Sequence, residues 1–448
     1  MVEARVTVNM TSKRISVVIP VYRGEAFIEA CLASVTAQAP VPSEIITVDD
    51  ASPDASAQRI TERFPQVRLL RNDTNHGFAY TVNIGLRAAR DADFVFVLNQ
   101  DAVLNAGCLE ALLDSFATYP ALGIAGCKIF YPDGHTMQHA GAFVDRPSAF
   151  SHHYGYQQAD DGRWGEDRSV EYVTGAAMLI SRAALDTLGG FDESISPMYY
   201  EDVDLCFSAR KLGFDVRYVS KAILTHQEST TQPTNSYFGM VNFFTGRLSF
   251  VLKQWSKQDI LACLDEERTA VAISPSLDET LARSRACARV MNKIGRLRAT
   301  HAASCSHPID AQSDDAFWRS VVERLRDARN AGLRHMFALV RDQGADDVDI
   351  HTSGVMDRAA TRADLRRQGT LKEFNFVSKA PIVGAIRSAL HGIAGRWALR
   401  YVVHQQSEVN QTLIAAIEGL EMQLLELTFA LGERADRTGQ SEPPALSR

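Results

Sequence analysis

The chain has 448 residues, 46% of them hydrophobic and 23% charged, with a formal net charge of -7 and a pI near 6.0. That length exceeds one ordinary core, and the balance excludes wholesale disorder and a collagen-like repeat. The negative charge gives no global field for nucleic acid, which is not expected as a partner.

Seven cysteines are scattered without CxxC or zinc-knuckle spacing and read as reduced, buried thiols. The opening MVEARVTVNMTSKR has no apolar h-region. No uncharged apolar run reaches the ~18–20 residues of a spanning helix. The expectation is a cytoplasmic protein.

Ile15–Pro20 (ISVVIP) is a continuous apolar run, which predicts a strand buried on both faces. From Glu25 to about Ala37 the period is helical, with Phe27, Ile28, Leu32 and Val35 on one side. Strands follow at Glu44–Val48, ending in Asp49-Asp50, and at Val67–Leu70. A helix over Ala79–Ala89 leads to a fourth strand, Phe94–Leu98, which ends in Asn99-Gln100-Asp101. This order predicts an α/β fold, a Rossmann-like, mostly parallel sheet with helices on both faces. Ligands of such sheets bind at the strands' carboxyl ends, where Asp49, Asp50 and Asp101 fall.

From Val103 to about Thr231 the pattern is mixed. Strands are predicted at Ile124–Phe130, Ala176–Ile180 and Val216–Val219, and a helix at Tyr200–Leu212. Asp145–Arg168 reads as a long functional loop, with Trp164 and several tyrosines placed to close over a ligand. Past Trp255 the chain turns helical, with helices at Leu277–Ala299 and Asp315–Gly332 and a basic linker at Arg358–Lys372. Ala380–Val403 is apolar but broken by cations, so a membrane-surface helix is one reading. Leu413, Ile417, Leu420, Leu424, Leu427 and Leu431 follow 4-3-4-3-4 spacing, either a coiled-coil seam or a helix packed on its own domain.

Several short strings carry chemistry. Asp49 and Asp50 suit nucleobase N–H groups and ribose hydroxyls, although Ser52 and Asp54 beside them also suit helix capping. Gly77 opens a helix N-terminus fit for phosphate. Asn83 sits mid-helix, where an amide has either a function or a buried structural partner. Asp101 suits a hard cation that shares oxygen ligands with phosphates, or a plain cap. Glu201, Asp202 and Asp204 start a helix, where the dipole favours acids and where a catalytic base would also serve. His226, just past a strand, is a structural residue or a metal ligand.

In order, P-V-Y, V-D-D-A-S-P-D, N-x-G-F-A-x-x-x-N-x-G, L-N-x-D, T-G-A-A-M-L-I, G-G-F-D-E, Y-x-E-D-V-D-L and a following His resemble the family 2 glycosyltransferases. The likeness spans about residues 14–250 and leans to the bacterial rhamnosyltransferase-like branch. It implies a GT-A fold over 14–255, a nucleotide-diphosphate sugar donor, a divalent cation (Mg2+ or Mn2+) and inversion at the anomeric carbon. By position, Pro20, Tyr22, Asp49 and Asp50 would line the nucleoside pocket, and Asn75, Gly77, Phe78 and Asn83 the nucleotide and phosphate side. The metal motif reads Asn99-Gln100-Asp101, so Asp101 would hold the cation with His226, beside Asn99. Asp202 would be the base, with Glu201 the alternative, and Gly175 and Ala176 would border the acceptor.

The absence of Gln-x-x-Arg-Trp points to a non-processive enzyme. The expected donor is dTDP-rhamnose and the expected acceptor a glycan or lipid-linked glycan of surface polysaccharide synthesis. A nucleotidyltransferase and a catalytically degenerate scaffold are the competing readings. Beyond the transferase domain, 256–370 is expected to be helical with no assigned role. Over 371–435, helices would mediate self-association or contact at the inner face of the membrane, and 436–448 would be a disordered tail.

Overall fold

The computed structural model describes residues 13–195, 198–227, 236–304 and 311–342. Its amino-terminal half runs β1 (Ile15–Val21), α1 (Ile28–Thr36), β2 (Glu44–Asp49), α2 (Ser56–Arg63), β3 (Arg68–Arg71), α3 (Phe78–Ala88) and β4 (Phe94–Leu98). These strands pair in parallel in the order β3-β2-β1-β4. Apolar residues on both faces of β1 explain its central place: Val18 packs into one core and Val17 and Ile19 into the other. Helix α3 covers the first face, and α1 the second.

The chain continues with β5 (Ala102–Leu104), α4 (Cys108–Thr118), β6 (Leu122–Phe130), β7 (Met137–His139), β8 (Ala142–Val144), β9 (Ser151–His153), β10 (Arg168–Ser169) and β11 (Ala177–Ser181). Then come α5 (Arg182–Leu188), α6 (Glu201–Lys211) and β12 (Asp215–His226). The full sheet order is β10-β12-β6-β11-β4-β1-β2-β3, with β5 on β12 and β7 on β6, while β8 and β9 form a separate hairpin. Strand β11 enters antiparallel between β4 and β6, which makes the sheet mixed. The fold is thus the α/β architecture expected.

Three differences from the sequence reading bear on the site. Strand β12 does not stop at Val219. A register shift between Val219 and Ile223 lets it resume on β6 and run to His226. Second, α4 and β5 occupy a stretch that had no assigned element, and β5 pairs Ala102 with His226. Third, the segment from Asp145 is built into the fold. Tyr200 Oη donates to Ala149 O at 2.6 Å, Arg247 donates to Ser148 O, and Trp164 packs 5.5 Å from the Tyr154 ring.

Four helices follow: α7 (Tyr237–Gln254), α8 (Lys257–Ile273), α9 (Leu277–Ser304) and α10 (Ala311–Asp342). Ser236 and Ser256 cap the first two by accepting from Gly239 N and Asp259 N. Helix α7 packs along α9, and α10 along both α8 and α9, in one unit with the sheet. Among the described residues no helix is long and apolar enough to cross a membrane. The six described cysteines are buried and unbridged. The basic stretch 358–372, the apolar segment 380–403, the leucine seam 413–431 and the tail lie outside the described residues.

Candidate functional site

The carboxyl ends of β1, β2 and β4 open on one side of the sheet. Tyr22 follows β1, and the Gln100 side chain clamps its backbone: Tyr22 N–H donates to Gln100 Oε1 at 3.0 Å and Gln100 Nε2 donates to Tyr22 O at 2.8 Å. Pro20 and Tyr22 are partly exposed there. Asp49 is buried. Its carboxylate pairs with Arg71 Nε at 3.0 Å, the residue in register with it on β3, and accepts from Ser52 N–H. Ser52 does not cap α2, which starts after Ala55, whereas Asp54 Oδ1 accepts from the N–H of its first residue, Ser56, at 3.1 Å. Ser52 Oγ accepts from Arg23 N–H, which fixes the turn after β1.

Asp50 is committed to the loop that precedes α3. Its Oδ1 accepts from Asn72 Nδ2 at 2.7 Å and from His76 N–H at 2.9 Å, and its Oδ2 from Gly77 N–H at 2.9 Å. Gly77 takes φ +86°, a left-handed conformation open to glycine, as the residue capping α3. Asn75 is exposed on this loop, and His76 stacks on Tyr80 with ring centroids 4.2 Å apart. Asn83 is buried and reads as a structural amide. Its Oδ1 accepts from Phe191 N–H, and its Nδ2 donates to Phe191 O and Glu193 Oε1, which ties α3 to the loop before α6. Phe78 meets the Phe191 ring edge-on at 5.8 Å.

Asp101 and His226 come together at the ends of β4 and β12, both side chains buried, with His226 Nε2 3.1 Å from Asp101 Oδ1. Asn99 Nδ2 lies 3.2 Å from the same nitrogen. His226 Nδ1 faces Gln138 Oε1 at 2.8 Å, so the imidazole is held between that amide and the Asp101 carboxylate. One carboxylate oxygen and one oriented imidazole, with the remaining positions left to phosphate and water, fit a divalent cation. Among the described residues no third His, Cys, Asp or Glu joins them.

The acidic pair sits at the start of α6. Tyr199 and Tyr200 both adopt positive φ, +73° and +69°, and so turn the chain sharply into the helix. Glu201 is buried, its Oε2 has no hydrogen-bond partner, and burial together with the Asp202 charge pushes its carboxyl up to about 8. Asp202 is half-buried. Burial raises it as well, opposed by N–H groups of Gly175 and Val203, each 2.8 Å from its oxygens, and by His153. Burial thus disfavours the charge on both acids, and only Asp202 has N–H donors that offset it. Asp204, the third acid, is structural, held by Lys253 Nζ at 2.7 Å and Gln254 Nε2 at 2.6 Å.

Gly175 and Ala176 join the two halves. Asp202 accepts from Gly175 N–H, and Asn99 N–H donates to Ala176 O at 2.8 Å. Base candidate and cation pair are thus pinned to adjacent residues of one segment. Arg71, Gln100, Gln138 and His153 were not among the residues singled out from sequence. Arg71 and Gln100 had a signal, one lying in a strand-end run and the other inside the Asn99–Asp101 motif. Gln138 and His153 sit on short strands whose pairing no local pattern announces.

The model of Glycosyl transferase family 2 matches residues 16–189. N-acetylglucosaminyl-diphospho-decaprenol L-rhamnosyltransferase of Mycobacterium tuberculosis is 30% identical over 238 residues, which cover 48% of this chain and 76% of that protein. O-antigen biosynthesis protein RfbC of Myxococcus xanthus is 26% identical over 227 residues, 49% of this chain and 18% of that one. Among solved structures, GalNAc-T7 with UDP, GalNAc and Mn2+ is 15% identical, with a TM-score of 0.47, over 64% of this chain and 55% of that one. The matched segment holds β1 through α5, with Asp49, Asp50 and Asp101, and the mycobacterial relative extends the match over three quarters of its own length. The chain belongs to glycosyl transferase family 2.

Proposed function

We propose that this chain is a non-processive, inverting glycosyltransferase that moves a sugar from a nucleotide-diphosphate donor, dTDP-rhamnose first, to a hydroxyl of a lipid-linked glycan. The reading rests on one observation: Gly175-Ala176 fixes a half-buried Asp202 and the Asn99–Asp101 turn to adjacent backbone groups. The rhamnosyl donor, the lipid-diphosphate acceptor and a place in surface polysaccharide synthesis draw on the names of the mycobacterial and myxobacterial relatives.

In this reading Pro20, Tyr22 and the buried Asp49 face the nucleoside, and the Asp50-anchored loop sets Gly77 and the N-terminus of α3 toward the diphosphate. Asp101 and His226 would hold a divalent cation, which when bound neutralises negative charge on the diphosphate. Asp202 accepts the proton of the acceptor hydroxyl as that oxygen bonds to the anomeric carbon. The bond from carbon to the diphosphate oxygen breaks on the opposite face, and the nucleoside diphosphate leaves. In this reading Glu201 is protonated beside it and adds no second negative charge, so the proton transferred goes to Asp202 alone.

The test is product formation from a panel of nucleotide sugars with a lipid-linked acceptor, alongside direct nucleotide binding. Asp202→Asn is expected to cut turnover by about 10²–10⁴-fold, the usual worth of a general base, with donor affinity kept within a few-fold. Glu201→Gln is expected to retain more turnover than Asp202→Asn. Near-full turnover in Asp202→Asn would place the base elsewhere.

A further inference from the structure

From Thr280 to Ser304, α9 carries six basic residues (Arg283, Arg285, Arg289, Lys293, Arg296 and Arg298) and no acid, in a chain whose net charge is -7. They fall on three faces. Arg283 turns inward to Glu267 and Glu279, and Arg298 turns to Asp315 of α10, so carboxylates neutralise both. Arg285, Arg289, Lys293 and Arg296 follow 4-4-3 spacing on a third face, with Arg285 beside Tyr237. There Arg289 donates to the Asn242 amide oxygen at 2.9 Å and Lys293 to Ser194 O at 3.2 Å. Among the described residues neither has a carboxylate within ion-pair distance. Arg296 reaches Asp192 at 3.8 Å, but Lys253 already holds that acid at 2.8 Å.

Arg289 and Lys293 are half-buried, so these are cations without full solvation or full compensation. Both are held below their ordinary range, chiefly by burial and further by neighbouring cations, Arg285 for Arg289, and Arg289 with Arg296 for Lys293. An anion seated between them would relieve that cost. The row from Arg289 to Arg296 covers about 10 Å of helix at ~1.5 Å per residue, which suits two linked phosphoryl groups better than one carboxylate.

The row connects with the acidic pair along two routes. Lys293 holds Ser194, in the loop that Asn83 ties to α3, and that loop's Phe191 packs on Phe78. Phe78 in turn flanks Gly175 together with Asp202. On the other side, Arg289 holds Asn242 of α7, whose neighbour Phe243 packs on Tyr199 and Tyr200, directly before Glu201. The amino-terminal half of α7 also presents half-buried Tyr237, Phe238, Met240 and Phe243 beside the cations. Charge and apolar surface thus lie side by side, as a prenyl diphosphate requires.

We propose that Arg289, Lys293 and Arg296 of α9 form a binding site for the diphosphate of a prenyl-diphosphate-linked acceptor. This rests on the lipid-linked reading of the acceptor given above. The row binds substrate and takes no part in the proton transfer at Asp202.

The experiment uses the full chain and its Arg289→Gln/Lys293→Gln double variant, titrated in EDTA with farnesyl diphosphate and with inorganic pyrophosphate. EDTA removes any cation-dependent donor site from the titration. Affinity for both probes is expected to fall at least about tenfold, while a charge-keeping Arg289→Lys/Lys293→Arg variant stays within about threefold. Arg296→Gln, an exposed change, gives a smaller loss in a chain whose thermal unfolding is unchanged, so misfolding of the double variant cannot mimic the result. In transfer assays the KM for a diphosphate-linked acceptor rises about tenfold, and that for the same sugar as an octyl glycoside stays within twofold.

Unchanged farnesyl diphosphate affinity in the double variant overturns the site. So does loss confined to phosphatidylglycerol vesicles, which would assign the row to the bilayer. Should the wild type transfer to no acceptor while its farnesyl diphosphate binding still depends on the row, the transferase reading fails and the diphosphate site stands.

Discussion

His226 gains its direction from Gln138 rather than from the residues around Asp101. The Gln138 amide oxygen lies 2.8 Å from Nδ1, and Nε2 faces Asp101 Oδ1 with both side chains buried. Replacing that amide with an apolar group of similar size removes the partner that orients the ring. Gln138→Leu is therefore expected to weaken Mn2+ binding, followed by calorimetry or electron paramagnetic resonance, by about 10–100-fold, the usual effect of losing a ligand's orienting partner. A variant with wild-type affinity would show that the carboxylate alone sets the site. At this scale the sequence disclosed residue types at strand ends and not their partners. Asp50 and Asn83 illustrate the limit. Both fall in strings that suit a nucleotide, yet Asp50 is committed to the backbone of the loop before α3 and Asn83 to that of Phe191. Those bonds cross 26 or more residues, a separation that no local spacing encodes.

Among the elements, α6 depends on a turn that another helix makes room for. Tyr199 and Tyr200 hold positive φ, which costs each about 1–3 kcal/mol unless the surroundings enforce it. Gly246 of α7 supplies that room, because a Cβ there would lie 2.4 Å from Tyr199 O. Gly246→Ala must move the turn or the helix, and the cost of such overpacking is about 1–3 kcal/mol of stability. Since Glu201 and Asp202 follow directly, turnover is expected to fall up to about 10²-fold even where the chain still folds. Gly295→Ala, in open space on α9, is the control and is expected to stabilise by about 0.5–1 kcal/mol through helix propensity. Equal effects of the two on turnover would sever the turn from the acids. The element reading succeeded where burial on both faces leaves a long apolar run, as in ISVVIPV and FVFVL. It missed β5, three residues long, and cut β12 short, because tertiary pairing rather than local pattern sustains strands of that kind, and it passed over α4 although Cys108, Leu109, Leu112 and Leu113 mark its buried face.

Across the whole molecule, the helices after α6 are fastened to the catalytic half by buried charge. Glu267 of α8 takes Arg247 of α7 and Arg283 of α9 on one carboxylate oxygen, with all three side chains buried. Arg247 also donates to Ser148 O in the segment between β8 and β9, and Phe150 from that segment lies under both guanidinium groups at 4.7 and 5.6 Å. The same segment accepts the Tyr200 hydroxyl through Ala149 O, so one short stretch binds the three-helix junction and the turn before the acidic pair. The attraction among such groups is offset by their desolvation, so net stability is a poor measure of what the cluster does. Removing one partner is different, because it strands buried charge. Glu267→Ala leaves the buried Arg247 without its carboxylate and Arg283 with Glu279 alone, and is expected to cost about 3–5 kcal/mol in urea unfolding. Replacing all three together (Arg247→Met, Glu267→Leu, Arg283→Met) removes both the charge and its desolvation, and most of that stability is expected to return. Turnover separates stability from positioning. Since Arg247 also holds Ser148, the triple variant is expected to stay slower than the wild type even with its stability restored. Full recovery of both stability and turnover in the triple variant would reduce the cluster to packing and leave the acidic pair independent of the helices behind it.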